Sequence, residues 1–223
     1  MNDSQFDFLD GSHPLDGGHP QLWSQLLDAV DPATLLAFVR WNMSARLRRY
    51  SSEEDVLQDG LLSAWRARAS FEWHGLSSFR RWLLAVLRNR LRDLAEQQES
   101  AKRGGDKWIA RFSEIEAARN LAGSGAPDEL GLAWASTTPS RMAVHQEQAD
   151  RMQVALEGLP DELREVVRLR LFEESTMEEI GLALSLGVEA TRHRFRKGAR
   201  LYAERLAREL DRGSSAAEQP AHR

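Results

Sequence analysis

Between about Ala101 and Thr138 the apolar periodicity of the chain is interrupted by Gly104-Gly105, by Gly123-Ser124-Gly125-Ala126-Pro127 and by Ser136-Thr137-Thr138-Pro139. Turn formers and helix breakers at that density end one packed block and delay the next. On either side, apolar residues recur at spacings of three and four, and no alternating stretch of strand length occurs. The pattern predicts an all-α fold of two small helical domains joined by a flexible linker. The first domain is expected over 21–98, the linker over 99–137 with a weak helix from Asp106 to Leu121, and the second domain over 138–211. Thr138 is placed to cap that second block, with Pro139 at its first helical position. Residues 1–20 carry four Asp, no Lys or Arg and few apolar positions, so they read as a disordered acidic tail; 212–223 read as a disordered polar tail.

Composition narrows the function more than the fold. Apolar residues make up 42% and charged residues 29%, as in ordinary globular chains, which excludes collagen-like and wholly disordered classes. The formal charge of -4 means that any contact with nucleic acid has to come from local basic faces. With no cysteine, disulfides, thiolate metal sites, iron-sulfur ligation and a cysteine nucleophile are all excluded. The N-terminus lacks the basic and apolar regions of a secretory signal, and no apolar run approaches the roughly 20 residues that span a bilayer. A soluble cytoplasmic protein without membrane insertion is expected. The six histidines (13, 19, 74, 145, 193 and 222) form no HExxH pattern, and no GxGxxG, Walker or GxSxG motif occurs. Neither a catalytic centre, a metal site nor a cofactor is expected, and the chain does not read as an enzyme.

Three faces of the first domain are candidates for binding. In a helix over 77–97, Phe79, Trp82, Leu83, Val86, Leu87 and Leu94 share one side, while Arg81, Arg88 and Arg92 stack on the other. Such a row of guanidinium forks suits phosphate oxygens, although a solvated face gives the same pattern. Arg90 falls inside the apolar stripe, where it must either snorkel or pair with a carboxylate from another helix. Ahead of this helix, Phe71-Glu72-Trp73-His74-Gly75-Leu76-Ser77-Ser78 is a short loop with two aromatics and a histidine. Phe71, Trp73 and His74 could grip an unstacked base, and equally the two aromatics could simply close the core. A helix over 53–68 puts Leu57, Leu61, Ala64 and Trp65 on one face and Asp55, Gln58 and Asp59 on the other, an acidic surface that could meet a basic protein partner rather than DNA, although a solvated face is the default for such a pattern. Trp65 and Trp82, at helical spacing within apolar stripes, read as core.

The second domain carries the sharper signal. Thr176-Met177-Glu178-Glu179 is a capping box that opens a short helix from Met177 to Leu184. A turn of Ser185, Leu186 and Gly187 then leads into a second helix over 188–210, which is helix-turn-helix spacing. Val188, Phe195, Ala199, Tyr202 and Leu206 share its inward side. Glu189, His193, Arg196 and Arg200 share another face, with Arg192 at the border and Arg194 and Lys197 in the same basic stretch. A helix of this kind can enter a major groove, where Arg reads guanine, Glu reads cytosine and the remaining cations meet phosphates; a helical hairpin with a basic outer face has the same pattern.

Taken together, the two blocks resemble the extracytoplasmic-function sigma factors of bacterial RNA polymerase over roughly 35–98 and 138–210. Glu54-Asp55-Val56-Leu57-Gln58-Asp59, Ala64-Trp65, Ser78-Phe79-Arg80-Arg81-Trp82-Leu83 and Leu87-Arg88-Asn89 with Asp93 look like sigma region 2. Leu159-Pro160, the run from Arg164 to Arg170, Glu178-Glu179-Ile180 and the run from Arg192 to Arg196 look like sigma region 4. The resemblance implies a subunit that binds core polymerase and directs it to promoters, with region 2 melting and reading the -10 element and region 4 reading the -35 element. It further implies that Asp55, Gln58 and Asp59 dock on the clamp helices of the largest polymerase subunit, and that the second domain meets the flap of the second subunit. By the same resemblance the 71–78 loop captures an extruded base beside Arg81, Arg88, Asn89 and Arg92, and Glu189, Arg192, His193, Arg196, Lys197 and Arg200 face the -35 groove. An anti-sigma factor is the implied regulator. Helix-turn-helix sequences usually have Ala where Gly181 stands, Gly where Ser185 stands and a capping Ser or Thr where Gly187 stands, so a distorted turn is expected. Trp108, Phe112, Ile115 and Trp134 are expected to pack from the linker onto a domain or a regulator. The competing reading is a free-standing, dimeric helix-turn-helix regulator bound to operator DNA.

Overall fold

A computed structural model describes Leu15, residues 20–103 and residues 139–217. Every regular element among them is helical. Four α-helices lie in the first stretch: α1 (Pro20–Val30), α2 (Pro32–Asn42), α3 (Glu53–Ala67) and α4 (Leu76–Arg103), with short 3-10 turns at Leu47–Arg49 and Arg68–Ser70. Four more follow: α5 (Pro139–Glu157), α6 (Asp161–Leu171), α7 (Met177–Ala183) and α8 (Val188–Ala217). The chain divides into two compact units, one ending at Met142 and the other beginning at Ala143.

Unit 1 is built around α2. The eight residues from Pro32 to Val39 are all buried, because α1, α3 and α4 each pack against this short helix. Asp31 starts it by accepting a hydrogen bond from the Ala33 amide at 3.2 Å and another from the Thr34 hydroxyl at 2.7 Å. Trp23 of α1 meets Trp65 of α3 and Phe79 of α4 edge-on, with centroids 5.4 and 5.6 Å away. These perpendicular contacts favour aromatic quadrupoles and tie three helices at one point. In the helix read over 77–97, Phe79, Leu83, Leu87 and Leu94 are buried as expected, joined by Leu84 and Leu91, whereas Trp82 and Val86 are only half-buried.

Unit 2 has its own core of Leu156, Leu159, Leu163, Val166, Val167, Phe172, Ile180 and Tyr202, with Phe172 edge-on to Tyr202 at 6.1 Å. Gly198 lets α8 lie almost against α6, since a Cβ there would stand 2.6 Å from Val167 Cγ2 and 3.3 Å from Leu163 Cβ. On the inward side of α8 the fully enclosed residues are Thr191, Gly198 and Tyr202, while Val188, Phe195, Ala199 and Leu206 are half-buried.

Several expected boundaries move. Helix α4 continues to Arg103, into the range expected as linker, and α8 continues to Ala217, into the range expected as a polar tail. Adding a residue to a formed helix costs little, so Gly213 and the serines beyond it do not stop α8 at Asp211. Leu15, expected in an unpacked tail, is 3% exposed, and burying its side chain provides the reason for that correction. Thr138, the weak helix over 106–121 and the four apolar linker residues lie outside the described residues.

Candidate nucleic-acid and polymerase interfaces

The acidic face of α3 begins with its own cap. Ser52 Oγ accepts from the Asp55 amide at 3.1 Å and the Ser52 amide donates to Asp55 Oδ2 at 3.4 Å, a reciprocal box that satisfies two free amides. Asp55 and Gln58 are exposed. Asp59 is half-buried and its Oδ2 accepts from Arg90 Nη2 at 2.9 Å. Arg90 therefore pairs with a carboxylate on another helix, the second of its two expected fates, and Asp59 is not fully available to a partner. Beside this face, Glu53 receives Arg40 at 2.6 Å and Arg48 at 2.7 Å with only 15% of its side chain exposed.

In the loop before α4 the aromatics separate. Phe71 is 9% exposed and stacks on Trp82 with centroids 4.8 Å apart, so of its two expected places its ring takes the one in the core. Trp73 is half-buried, edge-on to Phe71 at 6.3 Å. His74 is exposed, 3.6 Å from Glu72, and its amide donates to Ser78 Oγ at 3.2 Å. The next turn of loop and helix is fixed by Ser78 Oγ donating to the Gly75 carbonyl at 2.8 Å. Trp73 and His74 thus stand at the outer edge of an aromatic cluster that holds their backbone.

Along α4, Arg81, Arg88, Asn89 and Arg92 are all exposed. Arg88 lies over the Phe38 ring at 5.6 Å, and Arg92 donates to Asn89 Oδ1 at 3.3 Å. Arg92 also lies 3.9 Å from Glu96, and a pair as exposed as this orients a guanidinium without burying it. Sequence reasoning passed over Arg46, Arg48 and Arg49 between α2 and α3. The available signal was the lack of any Asp or Glu between Asp31 and Glu53.

In unit 2, Thr176 Oγ1 accepts from the Glu179 amide at 3.2 Å, and the Thr176 amide donates to Glu179 Oε2 at 2.7 Å, which fixes the start of α7 as the motif predicts. The turn after it is tight rather than distorted. Ser185 takes the left-handed conformation expected there (φ 55), and the Leu186 amide donates to the Gly181 carbonyl at 2.7 Å. A Cβ on Gly181 would lie 2.8 Å from the Leu186 carbonyl oxygen and 3.2 Å from Thr191 Oγ1. Glycine at that position is what allows the close turn, not a weakness in it.

From this turn α8 emerges with Glu189, Arg192, His193, Arg196, Lys197 and Arg200 all exposed. At 1.5 Å per residue they span about 16 Å, the length over which a helix lies in a major groove. Arg192 is braced by Glu189 and lies 3.6 Å from Glu178 of α7, and Arg200 lies 3.7 Å from Glu204. His193, Arg196 and Lys197 have no ion-pair partner among the described residues. Arg194 turns aside, 3.9 Å from Glu162 of α6.

This geometry agrees with family comparison. Sigma-70 region 2 matches residues 33–101 and Sigma-70 region 4 matches residues 155–200. The chain belongs to the sigma-70 family. Region 2 takes in α2, α3 and α4, and region 4 takes in α6, α7 and the start of α8, so the two matched regions fall in different units. Helix α1 precedes the region 2 match. Among curated proteins, the chain is 26% identical over 174 residues to a protein of Xanthomonas campestris pv. campestris described as probable RNA polymerase sigma factor RfaY. That alignment covers 75% of this chain and 38% of the relative, so the chain spans well under half of that sigma factor's length. No solved structure gives a significant match. Among the described residues of this sigma-70 family member, no helix is long and apolar enough to cross a membrane.

Proposed function

We propose that the chain is a promoter-recognition subunit that binds core RNA polymerase in the cytoplasm, of the extracytoplasmic-function type, and itself catalyses no reaction. The observation that carries this reading is the pairing of a region 2 unit with a region 4 unit whose helix-turn-helix presents six polar side chains on one helix. In unit 2, Arg192 and Arg196 pair with guanine edges of the -35 element, Glu189 accepts from a cytosine amino group, and His193, Lys197 and Arg200 complete the contact with bases and phosphates. In unit 1, Trp73 and His74 hold an extruded base of the -10 element while Arg81, Arg88, Asn89 and Arg92 follow the backbone. Phe71 supports Trp73 from beneath.

Asp55 and Gln58, with the outer part of Asp59, dock on the basic clamp helices of the largest polymerase subunit, and unit 2 meets the flap of the second subunit. An anti-sigma factor that covers these surfaces is the expected regulator. Run-off transcription with sigma-free core polymerase on a promoter library tests the reading. Discrete start sites that depend on this chain are expected. Operator binding by a dimer in the absence of polymerase, with no starts in its presence, would replace this reading with the free-standing regulator.

A further inference from the structure

The stretch from Pro32 to Ser52 contains four arginines and no acidic residue. Its structure divides the arginines into two pairs. Arg40 and Arg48 are both paired with Glu53, and Arg48 also donates to the Arg40 carbonyl. Arg46 and Arg49 stay exposed on either side of Leu47, together with Tyr50, which is 59% exposed. The segment that carries them is firmly held. Leu47 is buried, the Tyr50 and Ser51 amides both donate to its carbonyl at 3.0 and 3.1 Å, and the 3-10 turn packs on α4. Arg46 Nη2 donates to the Gln98 carbonyl of α4 at 3.2 Å, which leaves the rest of its fork to the outside. Arg49 has no side-chain partner among the described residues.

We infer that Arg46, Arg49 and Tyr50 form a second nucleic-acid contact on unit 1, which grips phosphates and one unstacked base of the opened promoter strand beyond those held by α4. This rests on the sigma-factor reading and adds a binding surface to it. Two guanidinium groups on a locked backbone suit a phosphodiester chain, and the neighbouring phenol supplies the π-face that unstacked bases use. The closest carboxylate in sequence, Glu53, is paired with Arg40 and Arg48, which offsets its charge beside the patch. The anchor on Gln98 and the contact of Arg88 with Phe38 of α2 bring this segment alongside the same helix that carries Arg88 and Arg92. An acidic peptide would meet the charges but has no use for the exposed ring.

The test uses the full chain bound to core polymerase and measures affinity for a promoter fragment with a pre-opened -10 bubble and for the same fragment fully paired, over a range of salt. Every single-strand phosphate that is no longer neutralised lowers the slope of log K against log salt by about 0.7. Arg46→Ala with Arg49→Ala is expected to lower the slope on the bubble by about 1.4, so its affinity deficit at 50 mM salt shrinks about sevenfold at 200 mM. Arg49→Ala alone, which removes no described side-chain interaction, is expected to show about half that slope change. Tyr50→Ala should weaken binding with the slope unchanged, and Tyr50→Phe should restore it. Slopes equal to wild type on the bubble overturn the inference, and so does an equal change on the paired fragment, which would assign these residues to duplex. Unaltered DNA binding with reduced affinity for an acidic peptide would reassign the patch to a protein partner. If the wild-type complex recognises no promoter at all, the sigma-factor reading itself fails, a result distinct from normal recognition with unaltered slopes.

Discussion

Glu53 is a mostly enclosed carboxylate that holds two arginines from the segment before it. Removing it takes an ion-pair partner from both cations, so Glu53→Ala is expected to destabilise unit 1 by about 2 kcal/mol, as measured by urea unfolding, below the loss for a fully buried pair because Arg48 is part-exposed and keeps its bonds to the Met43 and Arg40 carbonyls. The charges on α3 were legible from helical phase alone, since Asp55 and Gln58 lie where a period of 3.6 residues places them. That Asp59 is tied to Arg90 was legible only as one of two alternatives, because phase shows that Arg90 must find a partner without saying which. The place of Phe71 was left open for a related reason. Two aromatics two residues apart in a loop have no helical phase, and only the stack on Trp82 decides which turns inward.

At the level of elements, the helix-turn-helix was readable because its capping box and its turn are written in local chemistry. Its packing was less so. Apolar templates look for large side chains, while the residues that bring α8 closest to the core are Thr191 and Gly198. Gly198→Val puts two methyl groups where a single Cβ already meets Val167 at 2.6 Å. A loss of about 2–3 kcal/mol is expected for unit 2, together with weakened binding to -35 DNA as α8 is pushed off α6. Calorimetry and a duplex binding assay on the same variant check the two halves of that statement. The C-terminal ends of the two longest helices, α4 and α8, were poorly legible. Glycine and serine after Asp211 signal an end, yet propagation from a long, stable helix carries α8 through them.

On the scale of the whole molecule, two units with separate cores predict separable defects. Arg192→Ala with Arg196→Ala removes exposed groups only, so -35-dependent initiation should fall by at least tenfold, about 1 kcal/mol or more for each base contact, while affinity for core polymerase is retained. Competition binding to core alongside transcription on -35 variants checks this, and equal loss of both would indicate misfolding. The division into two helical domains was legible from the Gly, Ser and Pro content of the middle of the chain. The place of α1 was not, because only its packing reveals that Trp23 completes the aromatic cluster of α3 and α4.

That cluster also gives the molecule a natural optical label. All seven tryptophans precede Met142, and the only tyrosine after it, Tyr202, is packed edge-on to Phe172. Five of the seven indoles, at 23, 41, 65, 73 and 82, are among the described residues of unit 1 and none belongs to unit 2, so emission excited at long wavelength follows chiefly unit 1, while far-ultraviolet dichroism sees the helices of both. A difference between the two signals during heating or titration with a partner directly reads out one unit melting, or being occupied, before the other, with no dye attached.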